Sequence, residues 1–127
     1  MTALGQERTR TAERWTYYDF PLAVGNKAWK NGIAAIDLST GKVEPAHAET
    51  DLFVIGFFNR TVDATAAEKT VQVHLVSEIE IEWLGNSVSD ALDAQDVGSL
   101  CYIEDDNTVS ALATGHSIAG RVWAVDS

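Results

Sequence analysis

The chain has 127 residues, a formal net charge of −10 and one cysteine, Cys101. That length suits one domain with a substantial core, the single thiol excludes an internal disulfide, and no apolar run approaches the roughly 20 residues of a membrane-spanning helix. The first residues carry no apolar h-region, so no secretory signal is expected and synthesis in a reducing cytoplasm is.

The charge is unevenly placed. Residues 1–30 hold Arg8, Arg10, Arg14, Lys27 and Lys30 against Glu7, Glu13 and Asp19, a net of +2, which leaves −12 on the remainder. A body so acidic repels phosphate backbones, so nucleic-acid binding is not expected, whereas the basic front can meet an acidic surface.

Residues 1–14 lack apolar periodicity and read as an extended arm. Trp15, Thr16, Tyr17, Tyr18 and Phe20 favour a strand, which Pro21 places at an edge or an end. Val24-Gly25-Asn26 is a turn signal. Residues 32–38 form an apolar run that turns at Ser39-Thr40-Gly41-Lys42 and returns at Val43-Glu44 until Pro45, a hairpin. Residues 51–59 are nearly all apolar, which predicts a strand buried on both faces, and Gly56 in the middle predicts a bulge or close backbone approach. Residues 64–69 read as a loop or one helical turn. From Thr70 to Val76, Val71, Val73 and Leu75 share one face, with Gln72 and His74 on the other.

Residues 78–84 alternate strictly, with Ile79, Ile81 and Trp83 opposed to Glu78, Glu80 and Glu82. Residues 86–94 give the one predicted helix, capped by Ser87 or Ser89 with Asp90 in its first turn. Leu100–Ile103, a tight turn at Glu104-Asp105-Asp106-Asn107, a return at Thr108-Val109, a second turn at Thr114-Gly115-His116 and an alternating run from Ile118 to Val125 predict three short antiparallel strands. The fold class that follows is mainly β: a small antiparallel β-barrel or β-sandwich, jelly-roll-like or β-tulip-like. It is divided into an arm with the first strand over residues 1–20 and a single β-domain over 21–127, with one short helix.

Catalytic chemistry finds little support. The Glu78, Glu80, Glu82 row has a spacing seen in paired-carboxylate sites, but a solvated strand face explains it. Glu104 to Asn107 offers oxygen ligands for calcium without the EF-hand spacing, so a hairpin turn is expected. His47, His74 and His116 show no ligand spacing, and Cys101 in an apolar run reads as a buried, inert thiol. No metal, cofactor or enzymatic activity is expected. The stretch that stands out is the arm: Arg8, Arg10 and Arg14 lead into Trp15, Tyr17 and Tyr18, and arginine and aromatic residues are enriched at interface cores.

Two blocks carry a family resemblance. One is Lys30-Asn-Gly-Ile-Ala-Ala-Ile-Asp-Leu-Ser-Thr-Gly-Lys-Val with the Val54-Ile-Gly-Phe-Phe strand. The other is Val97-Gly-Ser-Leu-Cys-Tyr-Ile-Glu-Asp-Asp-Asn-Thr-Val with Ser117-Ile-Ala-Gly-Arg-Val-Trp-Ala-Val-Asp. In these blocks the chain resembles the cement, or decoration, proteins of tailed-bacteriophage heads. The arm and residues 78–84 lie outside them. The resemblance implies a non-enzymatic β-module on the outer surface of an icosahedral virion. It would bind the major capsid protein between capsomers, as a dimer or trimer. The competing expectation is a host- or glycan-binding β-module of a phage tail or fibre, for which Trp29 and Trp123 are the available aromatics.

Overall fold

Two hydrophobic cores share one wall. The computed structural model describes residues 17–75 and 84–125. In chain order the strands are β1 (Tyr17–Leu22), β2 (Lys27–Ala28), β3 (Ile33–Asp37), β4 (Val43–Pro45), β5 (Leu52–Phe58), β6 (Val62–Asp63), β7 (Lys69–Leu75), β8 (Gly85–Asn86), β9 (Leu100–Ile103), β10 (Thr108–Ser110) and β11 (Ile118–Arg121). The protein is mainly β, as the alternation patterns predict.

Strands β1, β4, β3, β5 and β7 close into a barrel in that order. All its pairings are antiparallel except β1 with β4, which meet in parallel at Leu22 and Val43. Leu22, Ala34, Val43, Ile55, Phe58, Val71 and Val73 fill the barrel. A second sheet, in the order β11-β9-β10-β8, covers one side of it. Ile33, Ala35 and Leu52 on the outside of the barrel wall pack there against Leu92, Cys101, Ile103, Val109, Ala119 and Val122. Strands β3 and β5 therefore bury side chains on both faces, with Phe53 on β5 the exposed exception.

Gly56 makes that possible. Between the β3 partners Ala34 and Ala35 the register on β5 jumps from Gly56 to Val54, so Ile55 is the extra residue of a bulge. Before the bulge Leu52 and Val54 point to the second core. After it Phe57 points there, and Ile55 and Phe58 both enter the barrel. Without the extra residue, the period of two would have put Phe58 on the same face as Leu52.

The predicted helix at residues 86–94 is replaced by a loop. The Asn86 side chain donates to the Leu92 carbonyl and accepts from the Leu92 N–H, both at 2.8 Å, and so clamps the loop shut. Ser87 does accept from the Asp90 N–H at 3.1 Å, but its own N–H continues the β8–β10 pairing by donating to the Val109 carbonyl. Among the described residues the one helical turn, a 3-10 turn at Ala94–Asp96, begins at the last residue of that stretch and is capped by Asp93. The last strand ends at Arg121, short of the expected Val125. Strand β1 pairs with β7 along its full length, so it belongs to the barrel wall and runs through the expected boundary at residue 20. The predicted Glu78, Glu80, Glu82 face lies outside the described residues.

Candidate functional site

Of the expected partner-binding residues, Arg8, Arg10, Arg14 and Trp15 lie outside the described residues, and Tyr17 and Tyr18 are described. Alternation along β1 sends the two tyrosines to opposite faces at the open end of the barrel wall. Tyr17 stacks on His74, its β7 partner, with ring centroids 5.0 Å apart. Tyr18 leans on Phe20, also at 5.0 Å, on the face that leads down to Leu22 in the barrel. Both remain about half exposed, at 48% and 52%. With Asp19 and Gln72 they line a shallow depression. The two rings leave the strand on opposite faces and stack on different partners, yet both border this one depression.

The three histidines do not converge. His74 lies under Tyr17, and the His116 Nδ1–H donates to the Ile103 carbonyl. His47 Nε2 sits between two carboxylates, 2.7 Å from Glu44 Oε1 and 3.3 Å from Glu49 Oε2. Among the described residues this is the one group whose ligand atoms approach closely enough to hold a cation. Sequence reasoning misses it because Glu-x-x-His-x-Glu matches no helical ligand spacing; the extended turn after Pro45 brings the side chains together. Hydrogen bonding of the imidazole to the two carboxylates accounts for the same geometry without a cation. Cys101 is buried, and burial pushes its thiol above the ordinary value, in keeping with an inert core residue.

A second depression lies where the barrel meets the tip of the β9–β10 hairpin. Trp29, Lys30, Asn31 and Gly32 form one wall, and Asp106 and Asn107 form the other. Strand β2, held by β6, delivers Trp29, and Lys27 Nζ sits 4.1 Å from the centre of its ring. Asn31 adopts a left-handed φ of 71°, and its N–H donates to the Phe58 carbonyl at 2.7 Å. A Cβ at Gly32 would lie 3.0 Å from the Trp29 carbonyl oxygen and 3.2 Å from Asp106 Oδ2, so glycine lets the walls meet. The two walls are joined by the Ile33 N–H donating to the Asp106 carbonyl at 2.7 Å. The opposite wall is a tight turn in which Asp105 Oδ1 accepts from the Asn107 N–H at 2.8 Å. Trp123 is 81% exposed and is not part of this depression.

Asp106 is held at a cost. Burial, and then the neighbouring Asp105 charge, push its carboxyl above the ordinary range. When the folded value lies above the unfolded one, the folded state holds the proton more tightly. The charged form then costs stability at all pH values above the folded value, and the cost vanishes below the unfolded value, about 3.9. Asp106→Asn is therefore expected to be more stable than the parent at pH 7 in urea melts, with the difference closing as the pH falls below about 4. A variant less stable than the parent at pH 7 would show that the carboxylate holds the turn together.

Comparison with family models, with curated proteins and with solved structures finds no match to this chain. Among the described residues no helix is long and apolar enough to cross a membrane.

Proposed function

We propose that this protein is a structural component of a tailed-phage virion. It would bind the outer surface of the icosahedral shell and stabilise contacts between capsomers of the major capsid protein. The observation that carries the reading is the placement of Tyr17 and Tyr18. They stand half exposed where the basic, aromatic arm enters an otherwise strongly acidic body. The likeness of residues 30–43, 54–58, 97–109 and 117–126 to capsid decoration proteins supports it.

The work such a protein does is thermodynamic. A ligand that binds the assembled shell and not its free subunits shifts the equilibrium toward the shell. Copies that act as dimers or trimers make a modest affinity per contact effective. No catalytic residue enters this account. The reading as a host- or glycan-binding module is favoured by one observation, the Trp29 depression.

Deletion of residues 2–14 tests the capsid reading, because it leaves every described strand intact. The truncated protein is expected to keep a similar melting temperature and to bind undecorated shells more weakly in co-sedimentation. Its residual binding should also depend less on salt, since Arg8, Arg10 and Arg14 are gone. Equal binding by both proteins at low and high ionic strength removes the arm from the mechanism. Absence of binding by the full-length protein removes the capsid reading itself.

A further inference from the structure

We propose that the depression between Trp29 and the Asp106–Asn107 tip binds a neutral saccharide, a role that neither requires nor follows from capsid attachment. A pyranose presents two chemically different surfaces. One is an apolar face of C–H groups, and the other is a rim of hydroxyls that both donate and accept. Trp29 supplies a counterpart to the first: an indole that is 54% exposed and lines the depression. Asp106, Asn107 and Asn31 supply counterparts to the second, since planar carboxylate and amide groups bind adjacent hydroxyls through two atoms at once.

The charge of the lining selects among sugars. In the lining itself Lys30 on one wall is offset by Asp106 on the other, within a body that is acidic as a whole. Sialylated or phosphorylated glycans find no local excess of positive charge and meet a repulsive body. A neutral sugar meets neither penalty. Size agrees: the depression holds about 290 Å³, just under the usual range for drug-sized ligands, which suits a single sugar ring and not a large cofactor.

The site is built before any ligand arrives. The Lys27 ammonium over the ring restrains the indole. The backbone of both walls is pinned by the Asn31 bond to Phe58, the Gly32 bond to Trp29 and the Ile33 bond to Asp106. Little freedom is left to lose on binding, which is what a shallow, open site needs to hold a ligand. Among the described residues no other side chain donates to the Asp106 carboxylate, so its oxygens remain open to hydroxyl donors. The cost of holding this carboxylate partly desolvated is what a binding group is expected to impose on a fold.

The test is a titration of the full-length, isotope-labelled protein, followed by amide and indole NMR shifts. The probes are the methyl glycosides of glucose, galactose and mannose, together with N-acetylglucosamine. At least one is expected to bind with millimolar affinity and to shift the Trp29 indole N–H and the backbone N–H groups of Gly32 and Asn107. Trp29→Ala should weaken that binding about tenfold or more, the equivalent of at least ~1.4 kcal/mol. The exposed Asn107→Ala variant should also weaken it while leaving the rest of the spectrum in place. Three outcomes overturn the proposal: no shift at these groups with any of the four sugars, shifts located instead around Trp123 or the β1 tyrosines, or binding unchanged in both variants. Co-sedimentation with shells reads the capsid proposal separately. A protein that binds shells and no sugar loses only the inference drawn here, and one that binds sugar and no shells loses only the capsid role.

Discussion

Replacing Gly56 with alanine is expected to unfold the barrel or come close to it. Gly56 has a φ of 157°, a region that residues with a side chain rarely enter, and strain of that kind costs about 1–3 kcal/mol. The added Cβ would also lie 2.0 Å from the His74 carbonyl oxygen and 3.2 Å from Leu75 Cα. These are backbone atoms of β7, so no rotamer change relieves the clash. Strands β5 and β7 would have to part at the Gly56–Leu75 pair, opening the barrel next to Phe58. A cost above about 4–5 kcal/mol is rare for a point substitution and approaches the whole stability of a small domain. Gly41→Ala is the control. Gly41 also has a positive φ, 73°, but no atom lies within 4 Å of the added Cβ, so strain acts there alone. Thermal melts should show a modest drop for Gly41→Ala and a collapse, or no folded protein, for Gly56→Ala. Similar melting temperatures for the two would mean that the bulge is not packed against β7 in this way.

The same glycine shows what a sequence can disclose. A glycine inside an otherwise unbroken apolar run signals a bulge or a close approach, because its free φ is local, although the backbone it approaches here, on β7, is far along the chain. The β3–β4 hairpin was legible for the same reason: Ser39 to Lys42 hold their own turn, with Asp37 Oδ1 accepting from the Ser39 N–H at 2.8 Å. The sequence offers a barrel and a sandwich alike, and what decides for the closed barrel is not local. It depends on β1 reaching both β7 and, in parallel, β4, and no residue near Leu22 records a partner that far along the chain. Two-residue strands such as β2 and β6 are too short to show any period. The misread helix came from residues that favour caps and turns equally well; the Asn86 clamp decided between them.

The Trp29 depression was half legible. An exposed tryptophan ahead of Asn31-Gly32 could be noticed in the sequence, and residues 104–107 could be recognised as a turn. That the two face each other follows from the packing of the second sheet on β3 and β5, and from the Ile33–Asp106 hydrogen bond, which has no sequence mark. Binding groups contributed by separate elements are commonly missed in this way, because each is explained locally as a turn or a surface residue.

Strand β5 offers the other large effect, because it places three phenylalanines in three environments. Phe58 is 1% exposed and enters the barrel among Leu22, Val43 and Val71. Phe57 packs half-buried against the second core. Phe53 pairs with Ile36 at the barrel mouth and is 60% exposed. Phe58→Ala leaves a cavity that alanines such as Ala28, Ala34 and Ala64 have no side-chain length to refill, and the loss should be about 3–5 kcal/mol. Phe53→Ala removes little buried surface and should stay within about 0.5 kcal/mol of the parent. Phe57→Ala should fall between them. Urea melts of the three variants measure the order, which depends on the bulge: shift the phase of β5 by one residue and Phe58 leaves the barrel while Phe57 enters it. A larger loss for Phe57→Ala than for Phe58→Ala would therefore place the extra residue elsewhere in the strand.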